Sequence, residues 1–487
     1  MFLTLAAYFG ILLAMSYRGR KSADNDAFFR AGRRSSWPMV AFGMIGASVS
    51  GVSLVSVPGW VASTQMSYLQ MCAGFFFGYV AVAFVLLPVY YRLRLTSIYA
   101  YLGQRFGPHT HRTGALFFLL SKLTGAAARL YIAVLVLQTF LADPIGMPFP
   151  LTAALTLLLI WLYTRRSGIQ TIVRTDAVQT LCLLLAIVGI LWAVCHRLDL
   201  NLAGMIETVR ESPMSRVFVW DADSPQNFWR QFLSGIFIVI VMTGLDQDMM
   251  QKNLTCRTLR DAQKDMCCYG ACFLPVNLLL LTLGVLLYTL CERQGIAAPA
   301  AGDQLLPTLV ASGALGTLVI IPFSIGIIAA AFSSADSALT ALTTTCCIDL
   351  LGIEADGHGA NAERVRKSVH IGMAVLFLGC MLLFRAINSR SAIDAIYTMA
   401  SYTYGPLLGL YAFGLFSKVP VRDRLVPLAA VAAPLVCALL DWGAPRWWGY
   451  RFGYELLMLN GALTFAMLWA LKKSKETSQI PNESREI

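Results

Sequence analysis

The chain has 487 residues, 57% of them hydrophobic and only 13% charged, with a formal net charge of +11. Soluble domains carry about 25% charged residues, so this composition excludes a soluble globular protein and reads as an all-α polytopic membrane protein. The positive balance does not imply nucleic acid, because the basic residues sit in short loops between apolar runs. Twelve Cys and five His show no C-x-x-C and no Cys–His ligand spacing, so the thiols read as small buried hydrophobes rather than metal ligands.

Residues 1–15 form an apolar run with no positive charge ahead of it, followed by Arg18, Arg20 and Lys21. A cleaved signal has the reverse order, so this run is expected to be a first span with its N-terminus outside. Thirteen apolar runs are long enough to cross a bilayer: 2–16, 37–58, 68–91, 114–140, 148–164, 171–195, 228–250, 266–291, 314–345, 368–387, 391–416, 424–441 and 452–471. With the N-terminus outside, the inner segments carry 27 Lys and Arg and the outer segments 9. That bias predicts thirteen spans, N-terminus out and C-terminus in. Residues 196–227 are expected to hold a short outer helix. Residues 303–311, DQLLPTLVA, are too short to span and are expected to fold back as a lid.

Two spans are interrupted. The second reads GASVSGVSLVSVPGW at 46–60, and the seventh carries TGLDQDMMQKNL at 243–254. They lie five spans apart. Broken helices at corresponding positions of two five-helix halves point to a transporter built from inverted repeats. The expected organisation is an extra N-terminal helix and loop (1–36), a first repeat of spans two to six (37–195) and an outer loop (196–227). A second repeat of spans seven to eleven (228–416), two C-terminal helices (417–471) and a cytoplasmic tail (472–487) follow.

The ninth span reads AAAFSSADSALTAL at 329–342. At 3.6 residues per turn, Ser333, Asp336 and Ser337 share a face, while Ser334 lies about 100° away with Ala330 one turn before it. This offers two oxygen clusters: Ser333, Ser334 and the Ala330 carbonyl, and Ser333, Asp336 and Ser337. Hydroxyls and freed backbone carbonyls, the latter available near Gly46 to Val49 in the second span, replace the water of a hard monovalent cation. The bland alternative is back-bonding of each Ser to the carbonyl four residues earlier. An intramembrane acid is expensive and usually has a partner and a task. Asp336 is therefore a sodium ligand, a proton carrier or the partner of a neighbouring helix.

Asp176 in the sixth span either completes the Ser333–Asp336–Ser337 cluster or pairs with Arg174 or a loop base. In the fourth span Lys122 is expected to snorkel to the inner surface. Arg129 lies about 22 Å deep with no acid within a turn, so it either holds an anionic substrate through its bidentate fork or forms an ion pair with an acid elsewhere. Asp246 and Asp248 are expected to contact cytoplasmic bases at a gate or hinge.

Four stretches in order, GASVSGVSLVSVPG (46–59), RTDAVQ (174–179), GLDQDMMQKNL (244–254) and AAFSSADSALTALTTTCCIDL (330–350), resemble the sodium:solute symporter family over residues 1–471. The resemblance implies a LeuT-like fold of inverted repeats and alternating access driven by one or two sodium ions. It implies a main sodium site formed by the carbonyls of Gly46, Val49 and Ala330 with the hydroxyls of Ser333 and Ser334. Some members bind a second sodium, whose positions fall here on Asp176, Ser333, Asp336 and Ser337. Asp336 stands where such members can have Ser. The apolar IVIVMTGLDQ stretch weakens a sugar reading. Arg129 matches the Arg that holds the substrate carboxylate in sialic acid carriers of the family, and Ser48, Ser50 and Ser53 match small polar substrate contacts. Gln70 is a further substrate candidate.

The expected function is sodium symport of a small organic solute, favouring an anion such as sialic acid, a related sugar acid or a carboxylate. A neutral sugar or amino acid is the alternative. A passive uniporter leaves two oxygen clusters unexplained, and a sensor is not expected because only KKSKETSQIPNESREI follows residue 471. No nucleophile–base pair or cofactor motif suggests an enzyme. The expected partners are the solute and the lipid bilayer, with no obligate protein partner. The expected location is the plasma membrane.

Overall fold

A computed structural model of the chain describes residues 2–18, 25–165, 168–353, 360–387, 399–447 and 449–473. Arg20 and Lys21, residues 391–398 of the expected eleventh span and most of the expected tail lie outside them. Among the described residues, seven helices are long and apolar enough to cross a bilayer, or nine if each of two bent pairs is one span. Four shorter apolar helices, Ala7–Ser16, Phe149–Thr164, Gly405–Phe416 and Leu456–Ala470, fall in the remaining apolar runs of the sequence.

The site is built by nine of these elements. They are α1 (Trp37–Ser48), α2 (Gly51–Thr64), α3 (Pro108–Leu137), α4 (Phe149–Thr164), α5 (Ile169–Arg197), α6 (Phe228–Gly244), α7 (Gln247–Asn253), α8 (Leu259–Gln294) and α9 (Ile320–Thr345). α1 and α2 are the halves of the second span, bent by 58°, and α6 and α7 the halves of the seventh, bent by 70°. Both breaks fall where the sequence interrupts its apolar pattern.

The fold is organised around α9, which packs against α1, α2, α3, α4, α5 and α7. Every residue from Gly326 to Thr345 is buried. Its polar side chains therefore meet protein rather than lipid, which is how a helix carrying Ser333, Ser334 and Asp336 persists inside a membrane protein. The peripheral helices show the opposite pattern. On α5, Leu181, Leu185, Val188 and Trp192 are exposed while Leu183, Ile187, Ile190 and Val194 are buried. Helical spacing thus sorts one apolar face toward lipid and the other toward α9.

The first break is set by close packing and by local hydrogen bonding. A Cβ on Gly46 would lie 2.2 Å from the Thr180 Oγ1 and 3.0 Å from the Thr180 Cα, so only glycine lets α1 approach α5 this closely. Thr180 in turn accepts from the Gly46 N–H at 3.1 Å. The chain then leaves the helix. The Ser50 N–H turns to the Ser48 carbonyl at 3.0 Å, Val49 leaves the helical region with a ψ of 79°, and Ser50 is extended with a ψ of 167°. Of the last four carbonyls of α1, Ile45 still receives the Val49 N–H at 2.8 Å and Ser48 the Ser50 N–H, which leaves those of Gly46 and Ala47 without the next helical turn to receive them. The short helices Gly302–Gln304 and Leu305–Ala311 cover the expected lid segment. Gly302 seats against Gly59 of α2, where an added Cβ would lie 2.1 Å from the Gly302 carbonyl oxygen. The outer loop holds its helix at Leu202–Glu211.

The second break carries its own caps. Asp246 is the N-cap of α7, its carboxylate accepting from the N–H groups of Asp248 at 2.9 Å and Met249 at 3.4 Å, which satisfies two donors that the helix start leaves open. The carbonyls released at the end of α6 are taken by phenols. Tyr90 donates to Gly244 and Tyr99 to Leu245, each at 2.8 Å. Irregular backbone at this depth is stabilised because these freed groups meet protein partners.

Gly46→Ala is expected to destabilise the protein by about 1–3 kcal/mol, the usual cost of overpacking a tight contact. A lowered unfolding midpoint of the detergent-purified protein checks this. Adding Thr180→Ala removes the closest clash and is expected to recover part of the loss.

Candidate functional site

The two breaks and the polar turn of α9 meet a central cavity of about 120 Å³. Ser48, Ser50 and Ser53 from the first break line it, with Lys122 and Arg129 from α3, Asp246 and Asp248 from the second break, and Ser334 from α9. Phe75, Met242 and Phe273 supply apolar wall. About half of the lining residues carry a polar or charged side chain, a wall more polar than the usual small-molecule pocket.

The expected main cation site divides between two directions. Ser334 donates to the Ala47 carbonyl at 3.1 Å, joining α9 to the broken end of α1. Ser333 donates to Asp176 Oδ1 at 2.6 Å, joining α9 to α5. Gly46, Val49 and Ala330 are buried beside them. Of the expected second cluster, Ser337 back-bonds to the Ser333 carbonyl at 2.7 Å, the local pattern that competes with ligation. Asp336 Oδ2 accepts from the Tyr163 hydroxyl of α4 at 2.7 Å. Its Oδ1 is buried with no hydrogen-bond partner among the described residues.

Asp176 is 1% exposed. Arg174, its neighbour in sequence, is exposed. The base that meets Asp176 is Lys252 of α7, with Nζ 2.8 Å from Oδ2. Lys252 is 1% exposed itself, so the loop position that its place in the charge count implied is corrected. The bend between α6 and α7 carries the residue inward.

Lys122 also departs from expectation. It does not snorkel: it is 6% exposed, with Nζ 3.0 Å from Asp246 Oδ2 and 2.7 Å from Asp248 Oδ2. The reason is that two acids at the second break offer it better company than the lipid surface. Asp246 and Asp248 are therefore held by Lys122 inside the protein, not by surface bases at a gate. Asp248 Oδ1 lies 4.0 Å from Lys252 Nζ, and Tyr404 donates to Asp246 Oδ2 at 2.5 Å. The result is a continuous buried chain, Tyr404–Asp246–Lys122–Asp248–Lys252–Asp176–Ser333, running from the cavity wall to α9.

Arg129 faces the cavity half-buried, and among the described residues no acid pairs with its guanidinium. Ser48 is hydrogen-bonded to the Tyr269 hydroxyl of α8, which is bonded to the Tyr79 hydroxyl at 2.7 Å. Ser50 and Ser53 stay on the cavity wall. Gln70 does not. Its side chain donates to the Gln226 carbonyl at 2.9 Å and accepts from the Val219 N–H at 3.0 Å, tying its helix to the outer loop.

The residues that sequence reasoning passed over are Lys252, Tyr163, Tyr269 and Tyr404. For Lys252 a signal existed. Asp248 and Lys252 are four apart, the spacing of a helical ion pair, in the same short segment as the break. The tyrosines gave none, since a phenol at helical spacing reads as core.

Lys122→Ala is expected to leave Asp246 without a base among the described residues and Asp248 with only Lys252 at 4.0 Å, at a cost of about 3–5 kcal/mol, the usual penalty for orphaning a buried charge. Lys122→Met with Asp248→Asn removes charge from both sides of the pair and is expected to cost less. Thermal unfolding of the two purified variants against the parent checks the order.

The model of the family described as "Sodium:solute symporter family" matches residues 28–420. The chain is 24% identical over 448 residues to the human sodium/iodide cotransporter, covering 88% of this chain and 66% of that protein. It is 22% identical over 446 residues to the sodium/sialic acid symporter SiaT of Proteus mirabilis, covering 86% and 85%. The chain thus spans about two thirds of the iodide cotransporter's length. Its fold matches the substrate-bound outward-open structure of a Na+-coupled sialic acid symporter with a TM-score of 0.80 at 18% identity, covering 96% of each chain. The architecture is accordingly the LeuT-like fold that the family resemblance implies. The match spans most of the sequence and includes both breaks and the polar turn of α9, and the chain belongs to the sodium:solute symporter family.

Proposed function

We propose that this protein is a sodium-coupled importer of a small anionic solute, working by alternating access in the plasma membrane. It crosses the bilayer thirteen times, with the N-terminus outside and the C-terminus inside. Residues 37–195 and 228–416 are its two inverted repeats. The observation that carries the anionic reading is Arg129, a half-buried cavity base with no acidic partner among the described residues. Lys122 on the same wall is already neutralised by Asp246 and Asp248, so Arg129 is the base left for a solute. A planar guanidinium takes a carboxylate through two parallel hydrogen bonds. The two curated relatives described above are named for iodide and sialic acid, both anions, and a carboxylated sugar or other organic carboxylate is the leading class. Ser48, Ser50 and Ser53 are its polar contacts along the first break. Gln70 supports the site indirectly, by holding the outer loop.

Sodium binds where Ser334 meets the end of α1. The carbonyls of Gly46, Val49 and Ala330 and the hydroxyls of Ser333 and Ser334 are its ligands. Support comes from the position of the Ser334 hydroxyl, 3.1 Å from the Ala47 carbonyl, at the turn where the hydrogen-bond ladder of α1 breaks. A cation there draws α9 and the broken helix together. That raises the population of the state that accepts solute, which is the thermodynamic content of coupling.

The test is a thermal-shift screen of the purified protein with sialic acid, pyruvate, iodide, glucose and proline, in sodium or in potassium. The expected result is stabilisation by a carboxylate in sodium that is absent in potassium. Arg129→Ala removes both charge-assisted hydrogen bonds and is expected to weaken the carboxylate response by about a hundredfold or more. Ser334→Ala is expected to abolish the preference for sodium. A response confined to glucose or proline moves the reading to a neutral solute.

A further inference from the structure

We propose that the Lys252 ammonium is a resident cation standing in the place of a second sodium, so that the protein binds and carries one sodium per cycle. The inference rests on the sodium-symport reading above and settles its stoichiometry.

Asp176 is a fully enclosed acid with both oxygens engaged. Oδ1 takes the Ser333 hydroxyl at 2.6 Å and Oδ2 faces Lys252 Nζ at 2.8 Å. The acids Asp176 and Asp248 lie on two sides of that nitrogen, at 2.8 and 4.0 Å. Two acids about one enclosed point, one of them also held by a hydroxyl, form the environment that a monovalent cation seeks in a membrane protein, and here a cation occupies it. A sodium ion sharing these oxygens would sit within a few ångströms of the ammonium. Two like charges at that distance repel strongly where the effective dielectric is low. The two occupants therefore exclude each other.

The lysine holds the position by geometry. It sits on α7, whose start is fixed by the Asp246 cap and whose Gln247 is bonded to Thr96 and Ile98 at 2.9 Å each. Its long chain reaches α5 and the polar turn of α9 from there. Being tethered, it neutralises Asp176 without crossing the membrane and leaves the cavity-side site, at Ser334 and the end of α1, for the transported ion. The neighbouring Asp336 is held separately by Tyr163.

The experiment is equilibrium binding of ²²Na⁺ to the purified full-length protein, read as ions per chain and as cooperativity. The wild type is expected to bind one sodium without cooperativity. Lys252→Met is expected to bind two, with a rise in Hill coefficient, because Asp176, Asp248 and Ser333 become an empty cation cradle. Lys252→Arg keeps the charge and is expected to stay at one, and Lys252→Met with Asp176→Asn is expected to return to one. Two sodium ions on the wild type overturn the inference, as does a folded Lys252→Met that stays at one. Should Lys252→Met not fold, the wild-type count decides alone. A wild type that binds no sodium overturns the sodium-coupling reading itself, an outcome separate from a count of two.

Discussion

A chain of alternating charges buried beside the central helix is the constraint on which the rest of this structure depends. Lys122 lies between Asp246 and Asp248, and Lys252 between Asp248 and Asp176. Each of these side chains is nearly sealed from solvent. A single charge left unpaired here would cost several kcal/mol, so the five must be placed together or not at all. The bend in the seventh span achieves this. It starts a new helix at Asp246, points that residue at Lys122, and carries Lys252 inward to α5 and α9. The break is thus required by the electrostatics as much as by transport.

The same geometry joins two sites that have to communicate. One end of the chain lines the cavity where Arg129, Ser50 and Ser53 wait. The other end touches Ser333, one residue from the Ser334 hydroxyl that contacts the first break. A rearrangement of α7 against α9 shifts both ends together. This is a contiguous physical link between the proposed solute cavity and the proposed sodium site, made of ion pairs whose strength depends on their remaining dry. Alternating access that opens one side and closes the other without wetting these pairs must move the broken helices largely as rigid bodies, which fits the short helical halves on either side of each break.

Much of this was legible in the sequence. Apolar runs marked the helices, and the two glycine-bearing polar interruptions marked both bends, because a helix breaks where its ladder and its apolar pattern fail together. The Ser333–Ser334–Asp336 turn announced a polar site, and depth alone flagged Arg129. What was not legible depended on tertiary approach. Lys252 read as a loop base because its distance along the chain from the apolar run says nothing about a 70° bend. Lys122 read as snorkelling because its partners lie more than 120 residues away in sequence. Gln70 matched a polar position in a span, yet its neighbours are outer-loop backbone. The tyrosines at 163, 269 and 404 supply hydroxyls to the polar network, and nothing in one-dimensional spacing separates such a phenol from an ordinary core ring.

The central claim is that a sodium gradient drives a carboxylated solute through the Arg129 cavity. Concentrative uptake into proteoliposomes tests it most directly, with the carboxylate that most stabilises the purified protein supplied as the radiolabelled solute. The account predicts that an inward sodium gradient raises internal solute above the external concentration, and that a sodium ionophore returns it to equality. Equal uptake with potassium on both sides, or accumulation that survives the ionophore, would contradict it.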